Sequence, residues 1–169
     1  MMNLVDKFNY LQKGQNMNNK AAIEKIRAFN RFYMPIMNLL GNNYLGSKYS
    51  VTEARIFFEI YENERCNAAH LSQIMNIDKS YLSRIIKAHE KHGYISREQS
   101  SIDKRSYSLF LTTKGKQKAK KLIEDSNKDI ANILCELSDE DEECLINAID
   151  TIMRILRQKG DTCHESSNL

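Results

Sequence analysis

The chain has 169 residues, of which 41% are hydrophobic and 28% charged, and its net charge is +3. This apolar content is enough for an ordinary core, so the composition excludes a fully disordered chain. No apolar run is long enough to span a bilayer, and the polar N-terminus lacks the apolar stretch of a secretion signal. We therefore expect a cytoplasmic protein with no membrane partner.

The charge is segregated along the chain. Residues 78–121 carry twelve Lys and Arg against four Asp and Glu, a balance of +8, whereas residues 122–169 carry four against twelve, a balance of −8. A basic segment beside an acidic one indicates a face that binds a polyanion on a protein whose other end avoids it. Solvated helix faces that happen to cluster would give the same pattern, so charge alone leaves both interpretations open.

The first third of the chain predicts a polar arm followed by a helix and a loop. Residues 1–20 are polar and rich in asparagine, and we expect a loosely ordered arm or a short helix there. Within 21–48, apolar residues recur at three- and four-residue steps from Ala21 to Leu40, as in an amphipathic helix. Pro35 should kink or split that helix, because it has no amide hydrogen and crowds the preceding turn.

Capping patterns predict three further helices. Their candidate N-caps are Ser50, Asn67 and Asp78. Ser50 and Glu53 have the spacing of a capping box, at the start of a helix over about 51–63. The next two helices should end near Met75 and His92, and only two residues separate them. This sharp connection is typical of a helix-turn-helix.

After this helical region the periodicity changes to two. Residues 94–97 and 106–111 are strand candidates, and the polar, basic stretch 98–105 between them should form the tip of a hairpin, or wing. Helices are then predicted over about 113–135 and 139–157, and residues 159–169 should form a flexible tail. The last helix carries one apolar stripe, made of Leu145, Ile149, Ile152 and Leu156.

The helix that begins after Asp78 has two chemically different sides. Leu82, Ile85 and Ile86 can anchor it in a core, and the other side carries hydrogen-bonding side chains: Ser80, Tyr81, Ser83, Arg84 and Lys87. A helix that reads the major groove needs this division, with Arg for guanine edges and hydroxyls for bases or phosphates. An ordinary surface helix shares the pattern, but the preceding short helix and tight turn favour a DNA reader.

The wing tip offers a second DNA contact. Arg105 could enter the minor groove, with Asp103 orienting its guanidinium and Lys104 near the phosphates. The same three residues are also common in turns. A run of lysines at the start of the following helix could extend the phosphate contacts or be solvated: Lys114, Lys116, Lys118, Lys120 and Lys121.

Residues 51–116 resemble the core of MarR-family regulators. The resemblance lies in the order of elements and in four motifs, which are Asp78-Lys79-Ser80, Gly93-Tyr94-Ile95, Asp103-Lys104-Arg105 and Leu111-Thr112-Thr113-Lys114-Gly115. Residues 26–33 and 81–84 are also similar to the branch of the family that is often fused to an acetyltransferase. The chain has no glycine-rich acyl-CoA loop and too few residues after the wing for that domain, so we carry over no enzymatic activity.

The resemblance implies a mainly α fold with a small β-hairpin wing, that is, a winged helix-turn-helix over 49–113. It further implies N- and C-terminal dimerisation helices, the latter over 114–158, in a homodimer that binds a pseudo-palindrome in double-stranded DNA. We expect a repressor relieved by a small aromatic or amphipathic effector, with no cofactor and no metal. Candidate residues for the effector cleft are Phe29, Tyr33, Tyr44, Phe57 and Tyr61, most of which could equally belong to the core.

Two other functions stay open at this point. The regulator could respond to thiol oxidation through Cys66, Cys135 or Cys144, or to a metal through His89, His92 and the Cys163-His164 pair, although no C-x-x-C or other metal-ligand spacing is present. Alternatively, the fold could serve as a protein-interaction module that has lost DNA binding. The sequence has no signature of an enzyme active site, so we expect no catalysis.

Overall fold

The computed structural model describes residues 4–99 and 106–162. In chain order, the elements are α1 (Leu4–Ile36), a 3₁₀ turn (Tyr44–Gly46), α2 (Val51–Glu62), α3 (Ala68–Met75), α4 (Lys79–Lys91), β1 (Ile95–Gln99), β2 (Tyr107–Leu111), α5 (Thr113–Leu134) and α6 (Asp139–Thr162). The predicted fold class, mainly α with one small hairpin, is confirmed. No helix in these ranges is both long and apolar enough to cross a membrane.

Helix α1 differs from its prediction at both ends. It is helical from Leu4, so most of the segment that we expected as an arm belongs to the helix. Pro35 lies in its last turn, and the helix ends at Ile36 rather than near Leu40. Proline can occupy a helix but cannot donate the next backbone hydrogen bond, and Asn38 then takes a positive φ of 51° that turns the chain away.

Each predicted cap is present, which is why the next three helices begin where they do. Ser50 and Glu53 form a complete capping box: the Glu53 carboxylate accepts from the Ser50 amide at 2.8 Å. Asn67 Oδ1 accepts from the His70 amide at 2.8 Å, which satisfies a donor at the start of α3 that has no partner inside the helix. The cap of α4 belongs to the candidate site and is described there.

The hairpin is antiparallel, and its register pairs Ile95 with Leu111 and Gln99 with Tyr107. Ile95, Leu109 and Leu111 are buried, so one face of the hairpin packs on the core while the other is more open. A third segment joins the hairpin, because the Leu109 amide donates to the Cys66 carbonyl at 2.8 Å.

The chain divides into two compact units, Met1–Asp125 and Ser126–Leu169. The first contains the core, whose largest fully buried side chains come from α2, α3, α4 and β2: Ile56, Phe57, Leu71, Leu82, Ile86 and Leu109.

The second unit contains α6, which is capped by Ser138 through the Asp141 amide at 3.2 Å. This helix runs to Thr162, so residues 159–162, which were expected to belong to a flexible tail, are helical. Its predicted apolar stripe is exposed in the single chain.

Candidate nucleic-acid interface

Helix α4 has one buried side and one open side. Leu82 and Ile86 have no exposed surface, and Ile85 is packed against the core. On the other side Ser80, Tyr81, Arg84 and Lys87 are exposed, and Ser83 is half-buried. The apolar side therefore fixes the helix on the domain, while the polar side is left free to meet a partner.

The start of α4 is held by its cap. Asp78 Oδ1 accepts a hydrogen bond from the Tyr81 amide at 2.9 Å, and the carboxylate also suits the positive end of the helix dipole. Three residues further along the chain, the Arg84 guanidinium lies over the Tyr81 ring, 5.9 Å from its centroid. This contact pre-orients the arginine on the open side of the helix.

The turn between α3 and α4 is tight because Asn76 adopts a left-handed conformation, with φ 50° and ψ 47°. Asparagine tolerates this region better than most residues. The turn is closed by Ser72, whose hydroxyl donates to the Ile77 carbonyl at 2.8 Å and whose carbonyl accepts from the Ile77 amide at 3.1 Å. The relative direction of the two helices is thus fixed by hydrogen bonds as well as by packing.

The root of the wing is tied to α4. Arg97 Nε on β1 lies 2.6 Å from Glu90 Oε1 in the last turn of α4, and both side chains are half-buried. This pair was not predicted from the sequence. A carboxylate at the end of a helix and an arginine on the following strand carry no periodic signal, although a hairpin that folds back after Gly93 does bring such positions near each other.

The end of β2 is hydrogen-bonded to the segment between α4 and β1. The Thr112 hydroxyl donates to the Gly93 carbonyl at 2.7 Å and accepts from the Gly115 amide at 3.1 Å. Gly115 is buried, and a Cβ there would overlap the Tyr94 carbonyl oxygen. Two of the motifs singled out in the sequence, around Gly93 and Gly115, are therefore the two sides of one close backbone contact.

The wing tip predicted to enter the minor groove lies outside the described residues. Its three residues are Asp103, Lys104 and Arg105.

The five lysine side chains at the start of α5 have different surroundings. Lys114 and Lys118 rest over the rings of Tyr94 and Tyr49, with Nζ to centroid distances of 4.8 and 5.8 Å. Lys116 pairs with Glu64 at 3.5 Å, and Lys121 pairs with Asp125 at 2.8 Å. Lys116 also lines a cleft together with Lys120. The five lysines are therefore not one continuous phosphate-binding surface.

The five residues considered for an effector cleft do not share one environment. Phe29 and Tyr33 stack on α1 with centroids 5.3 Å apart, and Phe29 is largely exposed. Phe57 is fully buried, so it is a core residue and cannot line an open cleft. Tyr44 packs against the same core. Tyr61 lines a cleft of about 600 Å³ bounded by α2, β2 and α5.

The candidate sensor residues have distinct surroundings. Cys66 is buried, whereas Cys135 and Cys144 are exposed. Burial, and then the charge of Glu59, raises the pKa of the Cys66 thiol to about 11. A raised pKa lowers the thiolate fraction and hence the reactivity.

The histidines of α4 do not form a metal site with other described residues. His89 is buried among aromatic rings, and no group of three or more His, Cys, Asp and Glu suited to a metal occurs in the described part of the chain. The Cys163-His164 pair lies outside it.

Comparison with known proteins matches this domain to one family. Residues 49–107 match the family model described as "MarR family". The HTH-type transcriptional regulator BilQ of Clostridioides difficile (strain CD3) is 32% identical over 71 residues, which are 41% of this chain and 48% of BilQ. The HTH-type transcriptional repressor YetL of Bacillus subtilis (strain 168) is 22% identical over 95 residues, which are 56% and 57% of the two chains. The chain thus spans about half the length of these curated relatives.

Solved structures share the fold over a longer range. FabT of Streptococcus pneumoniae, crystallised in complex with DNA, has a TM-score of 0.61 at 18% identity, covering 85% of this chain and 97% of FabT. The apo form of MarR from E. coli has a TM-score of 0.63 at 17% identity, covering 76% of this chain and 94% of that chain. The fold is therefore the winged-helix fold of MarR structures.

Proposed function

We propose that this chain is a MarR-family transcriptional regulator that binds DNA sequence-specifically and has no catalytic step of its own. The observation that carries the proposal is the division of α4, in which Leu82 and Ile86 are fully buried. On the other side of the helix Tyr81, Arg84 and Lys87 are exposed. The family match over 49–107 and the names of BilQ and YetL support it. A regulator of this kind works in the cytoplasm, where we place the chain.

In this proposal, α4 lies in the major groove. Arg84, held over Tyr81, would donate to a guanine edge, and the Ser80 and Ser83 hydroxyls would meet bases or phosphates. Lys87 would contact the phosphate backbone. The wing would follow the neighbouring minor groove, with the Arg105 guanidinium inserted and oriented by Asp103, and Lys104 on the phosphates.

We further propose that the chain acts as a homodimer on a pseudo-palindromic operator. The support is the apolar surface that a single chain leaves open. On α6 the exposed fractions of Leu145, Ile149, Ile152 and Leu156 are 39%, 41%, 43% and 62%. On α1, Ile26 and Phe32 are also largely exposed. Apolar stripes of this extent need a partner surface, and a second copy brings two recognition helices to successive major grooves.

The regulatory part of the proposal is repression relieved by a small aromatic or amphipathic effector. The cleft beside Tyr61 supports it, because Ile60 and Phe110 give it apolar walls and Lys116 and Lys120 give it a charged rim. A ligand bound there would contact α2, β2 and α5 together. It could therefore change how the wing is held, and with it the affinity for DNA.

The DNA-binding proposal is tested by selection from a random duplex library, followed by titration of the selected site. We expect a pseudo-palindrome, and we expect Arg84→Ala to lose about 1–3 kcal/mol of discrimination at one base pair. Lys128→Ala on α5 is the matched control, since it also removes one exposed positive charge. If the wild type shows no sequence preference, the chain is better explained as a protein-interaction module.

The dimer proposal is tested by sedimentation at micromolar concentration. Ile149→Asp places a charge on the apolar stripe and should shift the protein to a monomer with weaker operator binding. Asn147→Asp adds the same charge on another side of α6 and should leave the dimer intact. A wild type that sediments as a monomer, or an Ile149→Asp variant that stays dimeric, contradicts this interface.

A further inference from the structure

Three ammonium groups gather over a buried pair of tyrosine rings at the junction of α4, β1 and α5. Lys114 Nζ lies 4.8 Å from the Tyr94 centroid, and the Nζ atoms of Lys48 and Lys118 lie 5.4 and 5.8 Å from the Tyr49 centroid. The two rings pack edge to face, 6.4 Å apart. We call Lys48, Lys114 and Lys118 the lysine cluster.

The lysine cluster makes no ion pair within the described part of the chain, although the charge of Glu53 also acts on Tyr49. Its neighbours on α5, Lys116 and Lys121, pair with carboxylates, but no carboxylate among the described side chains lies within ion-pair distance of Lys48, Lys114 or Lys118. Their one described polar contact is from Lys114 Nζ to the His92 carbonyl, at 3.3 Å. The aromatic faces offset part of the repulsion between the ammonium groups, but they do not neutralise the positive charge.

The charges of all three ammonium groups act on the Tyr94 hydroxyl. The neighbouring Tyr49 side chain, and then the charges of Lys48, Lys114 and Lys118, hold the pKa of Tyr94 below its ordinary value. All three ammonium groups therefore act on the same small region. Lys48 lies just before α2, and Lys114 and Lys118 lie in the first two turns of α5. These segments adjoin the helix and hairpin that we propose to contact DNA.

We propose that the lysine cluster, together with Tyr94, is a binding site for a phosphate-bearing polyanion. Lysine binds phosphate as a point charge with three donors, and three lysines match a group that carries at least two negative charges. A ligand with a single carboxylate would leave two of the three positive charges without a counter-charge. The phosphate can come from a small molecule or from the DNA backbone. The site goes beyond the proposed function, since it shares no residue with the open side of α4 or with the cleft beside Tyr61.

The first experiment uses the full chain without DNA. Its thermal midpoint is measured in pyrophosphate and in sodium chloride of equal ionic strength. Pyrophosphate should raise the midpoint by about 3–6 °C at ten times its dissociation constant. The variant K48M/K114M/K118M, which keeps the apolar stems on the rings, should lose this rise. K25M/K128M is the matched control, because these exposed lysines of α1 and α5 belong to neither the lysine cluster nor the cleft, and it should keep the rise.

The second experiment separates the two sources of phosphate. The salt dependence of duplex binding is compared for the wild type and the triple variant, against the same control. If the cluster contacts the DNA backbone, the magnitude of the slope of log affinity against log salt falls by about 5, because the proposed homodimer loses six lysines. If the source is a small molecule, the slope is unchanged and the pyrophosphate effect remains.

Two results together overturn the proposal. They are a wild type that pyrophosphate stabilises no more than sodium chloride does, and a triple variant with an unchanged salt slope. Failure of the wild type to bind any duplex would instead count against the proposed regulator, and the first experiment would still decide whether the phosphate site exists.

Discussion

Arg97 and Glu90 join the wing to α4 through one ion pair, with Arg97 Nε 2.6 Å from Glu90 Oε1. The two residues belong to different elements, β1 and the last turn of α4. The pair therefore restricts the angle between the two parts of the protein that we propose to contact DNA. Because both side chains are half-buried, the contact is less screened by solvent than one at a fully exposed position.

We expect Arg97→Ala to weaken operator binding by about two- to fivefold, as loss of a partly exposed ion pair predicts. Stability should change little, because neither side chain belongs to the core. Exchanging the two residues, with Glu90→Arg and Arg97→Glu together, should restore part of the affinity. Fluorescence anisotropy on the single and double variants gives the coupling between the two positions, and a coupling of zero would show that the pair does not orient the wing.

Acid should destabilise the domain through His89. Its Nε2 lies 3.3 Å from Glu53 Oε1, and neither ring nitrogen makes a hydrogen bond within the described part of the chain. Burial lowers the pKa of His89; Glu53 opposes the shift, and His92 and Lys48 add to it. The folded state thus binds a proton less readily than the unfolded chain, so the stability is present above the unfolded pKa, 6.5, and is lost as the pH falls through the folded pKa.

The measurement for His89 is urea unfolding as a function of pH. We expect His89→Leu to flatten the fall in unfolding free energy below pH 6.5, since leucine suits the apolar site and cannot titrate. His70→Leu, at an exposed position on α3, should leave the fall unchanged. A profile that is the same in the wild type and in His89→Leu would assign the acid sensitivity to other groups.

Gly115→Ala should cost about 1–3 kcal/mol of unfolding free energy, because the new Cβ would overlap the Tyr94 carbonyl and force the backbone apart. The shift at the junction of wing and α5 should also weaken DNA binding. Chemical unfolding measures the first effect and a duplex titration the second. Lys116→Ala, at the next and exposed position, is the control; a Gly115→Ala variant as stable as this control would mean that the contact relaxes at no cost.

Cys66 should react slowly with alkylating reagents in the folded protein. Its pKa of about 11 makes its thiolate about a hundredfold rarer than that of an ordinary cysteine, and burial restricts access as well. We expect iodoacetamide at pH 8 to modify Cys135 and Cys144 first, as mapped by mass spectrometry, and Cys66 only on unfolding. Rapid modification of Cys66 with loss of DNA binding would instead support a regulator that responds to thiol oxidation.

Local features of this protein were determined by the sequence itself. Ser50, Asn67 and Asp78 predicted the starts of three helices, because a cap acts on amides only two or three residues away. The buried and open sides of α4 followed from periodicity, since residues three and four apart share a helix face. The hairpin was indicated by alternation, although its first strand extends to Gln99 into the stretch that we had expected to be the tip.

Contacts between elements were decided only by the tertiary structure. The pairing of Arg97 with Glu90, the burial of His89 and the separation of the α5 lysines depend on which helix faces which strand, and periodicity within one element does not contain that information. The same holds for Phe57, which was a candidate for a cleft and is fully buried. An aromatic residue on an amphipathic helix suits either place, and the packing of α2 against α4 and the hairpin places it in the core.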